Sequence, residues 1–183
     1  MKKNIFKLMM LLFLSGCSAF GVVATNDPKE KINQAYYLLD SGRPLPAKKL
    51  FEEVIKIGEE KKDMGLVARG FDGLGDLYKV PVQYGVQKQN LTDYEKSASN
   101  YMLAAETHTK LGYTKKAAMS LFGGGWSAYK SGDINKSCNL FAQSAKSFSL
   151  KAVHKDDSEG FMDENKTPLN ILANEYIKNL KCK

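Results

Sequence analysis

The sequence predicts an all-α fold, and three observations carry that prediction. From Asp27 onward several stretches place apolar residues three and four apart, the helical period. No stretch alternates apolar with polar residues for long enough to make a half-buried strand. Helix-start residues recur ahead of the periodic stretches and glycines recur behind them. Together they give helices near 28–41, 45–61, 64–79, 93–111, 114–131, 134–151 and 168–181. That is three antiparallel pairs followed by a single last helix.

The chain opens on a different kind of segment. Lys2, Lys3 and Lys7 stand before or at the edge of an apolar run from Leu8 to Leu14, and Ser15 and Gly16 follow it. Seven apolar residues are too few for a membrane-crossing helix, which needs about 20. A basic start, a short apolar middle and small residues are the pattern of an export signal. The tetrapeptide Leu14-Ser15-Gly16-Cys17 resembles the lipobox of bacterial lipoproteins. That resemblance implies a signal peptide over 1–16, cleavage before Cys17, and a diacylglycerol thioether on its thiol. In the sorting rule of that family, Asp after the cysteine holds the protein at the inner membrane. Ser18 stands there, so the resemblance implies the periplasmic face of the outer membrane, with the cell surface as the alternative. Residues 17–26 then read as a lipidated tether and 27–183 as the folded domain.

Each helix has its punctuation. Asp27-Pro28-Lys29-Glu30 reads as a capping box with proline in the first turn, where a missing N–H costs nothing. Thr92-Asp93-Tyr94-Glu95 reads as a second box, and Thr114, Asp133 and Thr167-Pro168 are further candidate caps. Gly42, Gly112 and Gly132 are the expected stops. Leu169, Leu172, Tyr176 and Leu180 form one stripe on the last helix, which suits a helix closing the end of the stack. The charged stretch Lys151–Lys166, with Gly160 inside it, reads as a loop or a frayed helix end.

The pairs resemble one another. In the second, Phe71-x-x-Leu74-Gly75-x-x-Tyr78 is similar to the first helix of a tetratricopeptide (TPR) repeat. In the third, Gly125 takes the small-residue place, Gly132-Asp133 the turn, and Ser137-x-x-x-Phe141 the second helix. In the first, Ala35 and Leu38 lead to Gly42 and then to Ala47-x-x-x-Phe51-x-x-Val54. The motif works sterically: small residues let two backbones approach and a large one fills the space beside them. Gly85-Val86, Asp93-Tyr94-Glu95-Lys96 and Tyr101-x-x-Ala104-Ala105 resemble the Sel1-like variant, although the join from Val80 to Thr92 is longer than either family uses. The resemblance covers about 28–148. It implies an α-solenoid of about three TPR/Sel1-like pairs plus a C-terminal capping helix, the alternative being an unrelated helical bundle.

Composition narrows the chemistry. The formal charge is +7, and removing Lys2, Lys3 and Lys7 with the leader leaves 7 − 3 = +4, with no Arg-rich run. Nucleic acid is therefore not an expected partner. His108 and His154 are far apart and no Cys or carboxylate cluster accompanies either, so no metal is expected. Gly123-Gly124-Gly125 lacks the Lys-Ser/Thr of a phosphate loop, and Trp126 follows it; close helix packing is the expected reason for these glycines. No nucleophile elbow or acid pair points to catalysis, and no cofactor is expected. Cys138 and Cys182, in an exported chain, either form a disulfide pinning the last helix or remain two free thiols.

The TPR resemblance also implies a ligand groove lined by the first helix of each pair. Its positions here are Ile32, Tyr36 and Leu39, then Arg69, Asp72, Asp76 and Lys79, then Met119, Phe122, Trp126 and Tyr129. The core of the expected partner site is Tyr36, Arg69, Asp72, Asp76, Phe122, Trp126 and Tyr129. The alternative is that the capping helix fills this groove or that Trp126 is core. Chaperone-binding TPRs clamp a terminal carboxylate with Lys and Asn, and those places hold Asp72, Asp76, Phe122 and Trp126, which argues against that partner class. The expectation is a non-enzymatic adaptor binding another envelope protein or peptide, in pilus or secretion-system assembly or as a scaffold for cell-wall enzymes. A Sel1-like binder of small ligands or glycans is the second reading, and a hydrolase the third.

Overall fold

The computed structural model describes residues 25–79, 93–150 and 167–182. Within them lie seven α-helices and no β-strand: α1 Pro28–Asp40, α2 Pro44–Lys61, α3 Met64–Lys79, α4 Tyr94–Lys110, α5 Thr114–Ser131, α6 Ile134–Ser149 and α7 Leu169–Asn179. Every helix expected from the sequence is present, its ends within two residues of expectation. The leader at 1–16, Cys17, most of the tether, the join at 80–92, the stretch 151–166 and His154 lie outside the described residues. Among the described residues no helix is long and apolar enough to cross a membrane.

The caps follow the sequence with instructive exceptions. Asp27 caps α1 by accepting from the Lys29 N–H at 2.9 Å, and Asp133 caps α6 by accepting from the Lys136 N–H at 3.0 Å. Glu30 does not complete a box with Asp27. Thr25 takes that place, its Oγ1 accepting from the Asp27 N–H at 3.1 Å while donating to Glu30 at 2.5 Å. For α4 the capping side chain is Asp93, one residue later than a Thr92 box, accepting from the Lys96 N–H at 3.0 Å. That shift is reasonable, since a carboxylate is the stronger acceptor and the helix dipole favours its charge. Thr114 begins α5 from inside the helix, with Tyr113 at the cap position, and Pro168 holds that position for α7. Gly42, Gly112 and Gly132 take positive φ of 70°, 76° and 90° at the ends of α1, α4 and α5. Lys62 performs the same turn after α2 with φ 58°, where no glycine advertises it.

Each helix packs on the one before and the one after, and further contacts join α1 to α3, α3 to α5 and α5 to α7. The first three helices share a core of Ala35, Leu38, Leu39, Ala47, Leu50, Phe51, Leu74 and Leu77. A second core joins Ala98 and Ala105 of α4, Leu121 and Ala128 of α5 and Leu140 of α6.

What sets the spacing between helices is an aromatic ring pressed on glycine. A Cβ on Gly73 would come within 2.2 Å of the Phe51 ring. The Tyr101 ring of α4 is wedged between two glycines, since a Cβ would approach it to 2.9 Å from Gly75 on α3 and to 2.8 Å from Gly123 on α5. A Cβ on Gly125 would stand 3.0 Å from Phe141 of α6. The Gly-Gly-Gly run thus serves packing on two neighbours at once, Gly123 facing α4 and Gly125 facing α6.

Buried hydroxyls add direction to this packing. Ser97 Oγ donates to the Gly75 carbonyl at 2.7 Å and lies 2.8 Å from Ser127 Oγ. Ser137 donates to the Gly125 carbonyl at 2.8 Å and Ser144 to the Ala118 carbonyl at 2.7 Å. A buried hydroxyl without such a partner costs about 1–3 kcal/mol, so each pair fixes the rotation of one helix against the next. The last helix is held differently. Cys138 on α6 and Cys182 just beyond α7 form a disulfide with Cα atoms 5.7 Å apart. Tyr176 stacks on Phe141 at 4.7 Å between centroids and meets Phe122 edge-on at 5.7 Å. On α7 the buried residues are Leu169 and Ala173, while Leu172, Tyr176 and the C-cap Leu180 just beyond the helix are half-buried.

Candidate functional site

A cavity of about 880 Å³ is built from five helices. Tyr36 comes from α1; Arg69, Asp72, Asp76 and Lys79 from α3; Tyr101 and His108 from α4. Lys116, Met119, Ser120, Phe122, Gly123 and Trp126 come from α5, and Leu169 of α7 closes one end. The α3 residues recur at intervals of three and four, so one helix face delivers all four charges to one wall.

The two carboxylates are held by neutral hydroxyls. Asp76 Oδ1 accepts from the Tyr101 hydroxyl at 2.5 Å and from Lys79 Nζ at 2.8 Å, and Oδ2 accepts from the Tyr36 hydroxyl at 3.2 Å. Lys79 Nζ also donates to the Tyr101 oxygen at 3.0 Å. Asp72 Oδ1 accepts from Ser120 Oγ at 2.6 Å, and Oδ2 lies 3.0 Å from His108 Nε2. Burial, and next the negative charge of Asp76, push the phenol pKa of both Tyr36 and Tyr101 far above its usual value. Both phenols therefore stay neutral donors at any physiological pH. His108 is only 3% exposed and its Nδ1 is buried with no hydrogen-bond partner. An Nε2–H tautomer donating to Asp72 leaves that nitrogen a bare acceptor, which costs less than a buried N–H without a partner.

The apolar walls complete the site. Phe122 packs edge-on against Phe141 at 5.2 Å, and Trp126 meets Tyr94 edge-on at 5.8 Å with Lys130 Nζ 5.2 Å from its centroid. Of the seven core positions that the sequence put forward, Tyr36, Arg69, Asp72, Asp76, Phe122 and Trp126 line this one cavity. Tyr129 is not among its lining residues and is 39% exposed. Lys79 and Met119 also line the cavity, whereas Ile32 and Leu39 are buried in the core between helices. The capping helix contributes an end wall through Leu169 without filling the space.

Sequence reasoning missed Tyr101, His108, Lys116, Ser120, Gly123 and Leu169 as members of the site. Tyr101 and His108 escaped because a groove drawn from first helices alone omits the second helix of a pair. The signal for Tyr101 was present in Asp76 and Gly75, a carboxylate beside a glycine gap that asks for a large hydroxylated residue. Among the described residues no group of three or more His, Cys, Asp and Glu side chains is placed to hold a metal ion.

No protein-family model matches this chain, and neither a curated protein nor a solved structure is found to be similar to it.

Proposed function

We propose that this chain is a non-enzymatic binding module of TPR/Sel1-like repeats, tethered through an acylated Cys17 to the periplasmic face of the outer membrane, that holds a segment of another envelope protein in its cavity. The observation that carries the reading is the convergence of Tyr36, Arg69, Asp72, Asp76, Phe122 and Trp126 on one half-open cavity. Those residues lie on α1, α3 and α5, the first helices of three pairs, as a solenoid's ligand face requires. Large aromatic side chains around a few fixed polar groups supply the contact area and orientation that recognition needs. The anchor would provide location and the cavity specificity.

The test is a pull-down from detergent-extracted membranes with the wild type and with Trp126→Ala. Loss of a specific co-purifying protein from the variant supports the reading. An undiminished yield from the variant removes the cavity from it. Mass determination of the mature amino terminus tests the tether separately: an acylated cysteine is expected, and an unmodified one ends that part of the proposal.

A second reading, a binder of small ligands, has its own support. The volume of about 880 Å³ falls within the roughly 300–1,000 Å³ of small-molecule sites, and Leu169 closes one end. Saturable heat stabilisation by a small ligand, with no protein partner present, would select it over the adaptor.

A further inference from the structure

Arg69 and Asp72 sit three residues apart on α3 and both line the cavity. Side chains so spaced are neighbours on a helix surface, and an Arg with an Asp there ordinarily closes into a pair. Here the pair is held open. Asp72 commits its oxygens to Ser120 and His108, both buried to 3% exposure, on α5 and α4. Arg69 makes no hydrogen bond or ion pair among the described residues. The cavity's other charges are engaged: Asp76 holds Lys79 at 2.8 Å, and Lys116, which also lines the cavity, sets its ammonium 4.2 Å from the centre of the Tyr113 ring. One carboxylate and one guanidinium thus stand on the same wall of the cavity: the partners of Asp72 are a hydroxyl and an imidazole that carries charge only when protonated, Arg69 has no ion pair among the described residues, and Phe122 and Trp126 line the same cavity.

We propose that this cavity binds a small zwitterion of the α-amino-acid type, its ammonium on Asp72, its carboxylate on Arg69 and an apolar side chain against Phe122 and Trp126. The inference rests on the small-ligand reading given above. Its logic is charge complementarity. A ligand bearing only an ammonium would gain Asp72 and face Arg69; one bearing only a carboxylate would gain Arg69 and face Asp72. A molecule carrying both charges on one carbon satisfies both, and the planar fork of the guanidinium matches a carboxylate with two parallel hydrogen bonds. Asp72 is 25% exposed, so a pairing there counts for more than on an open surface, while Arg69 is exposed. Asp72 keeps free lone pairs for it, since Ser120 and His108 occupy only one site on each oxygen.

The experiment uses the full chain in detergent, with calorimetric titration and the fluorescence of Trp126, the single tryptophan. The probes are L-phenylalanine, L-leucine, 2-phenylethylamine and 3-phenylpropanoate. The expected result is saturable binding of at least one amino acid, with both singly charged analogues at least about tenfold weaker. Arg69→Met should weaken the amino acid by a similar factor and leave 2-phenylethylamine unchanged or improved. Asp72→Asn should do the reverse, weakening the amino acid while sparing 3-phenylpropanoate. Asp72 also holds Ser120 and His108, so its variant can fail to fold; Arg69 is exposed, and its variant carries the test alone. Analogues binding as tightly as the amino acid, no binding of any probe at millimolar concentration, or an amino-acid affinity unchanged in Arg69→Met would each overturn the proposal. If a different class of small molecule stabilises the protein while the amino acids are inert, this inference fails and the small-ligand reading stands. If a protein partner is lost with Trp126→Ala and no small molecule binds, both fail and the adaptor stands.

Discussion

Three consecutive glycines inside α5 are expected to answer alanine in different ways. In a helix interior glycine is roughly 1 kcal/mol less favourable than alanine, so without neighbours each substitution should stabilise. At Gly124 the neighbours permit it. A Cβ there would lie 3.4 Å from Tyr101 Cβ and 3.5 Å from Leu140 Cδ1, ordinary contact distances. At Gly123 it would lie 2.8 Å from Tyr101 Cζ. That ring has nowhere to retreat, because Gly75 closes its other face and Asp76 holds its hydroxyl at 2.5 Å. Overpacking of this kind costs about 1–3 kcal/mol, and the pinned ring argues for the upper half. Gly124→Ala should therefore gain about 0.5–1 kcal/mol, while Gly123→Ala should lose about 1–2 kcal/mol net. At about 2–4 °C per kcal/mol for a chain of this size, the two melting temperatures should move in opposite directions, up by about 1–4 °C and down by about 2–8 °C. Thermal and urea unfolding followed by far-UV circular dichroism measures both. In a Tyr101→Leu background the overpacking cost should vanish and leave the intrinsic gain of about 1 kcal/mol, a coupling of about 2–3 kcal/mol. Equal shifts for the two alanines, or a Gly123 effect indifferent to Tyr101, would refute the wedge.

Three further outcomes follow from the same structure. Reducing the Cys138–Cys182 bond, which closes 44 residues of chain, or replacing both cysteines with serine, should cost about 2–4 kcal/mol; hydrogen exchange should show protection falling first in α7 and last in α1–α3. The raised phenols of Tyr36 and Tyr101 give a pH signature. Their folded pKa values lie above the unfolded value of 10.0, so their contribution is whole below about pH 10 and declines as the pH climbs above it. In an absorbance titration these two of the nine tyrosines should ionise only as the helical signal is lost, and reversible ionisation of all nine in the folded protein would contradict their burial. Finally, Ser97→Ala removes the hydroxyl bonded to the Gly75 carbonyl and to Ser127; chemical unfolding should show a loss of about 1–2 kcal/mol, and no loss would mean that water replaces it.

Much of the fold was legible because its punctuation is local. Asp27, Asp133, Gly42, Gly112 and Gly132 act on backbone groups within a few residues, and their effect can be read in a short window of sequence. The exceptions are also local but depend on competition. Thr25 displaced Glu30 at one helix start, and at another Asp93 supplies the capping oxygen. The turn at Lys62 is set by the docking of α3, because a Cβ on Gly58 would strike the Val67 side chain and the Asp63 carbonyl. The site was legible along α3, where a period of three to four brings Arg69, Asp72, Asp76 and Lys79 to one wall. It was illegible where tertiary packing decides. Nothing in the neighbourhood of Ser120 or His108 announces that both will meet Asp72, and Tyr129 follows Trp126 closely in sequence yet lies outside the cavity.

The backbone N–H of Asp93 donates to the carbonyl of Tyr78 at 2.9 Å, so the chain leaves α3 and re-enters α4 at the same place. That bond and the packing of α3 on α4 bring the facing ends of the two helices into register. The entropic penalty of such a closed excursion grows slowly, by about 0.6 kcal/mol for each doubling. Added chain length between Tyr78 and Asp93 is therefore expected to cost little and to leave the Tyr101 wedge, with the wall it supports, where they are.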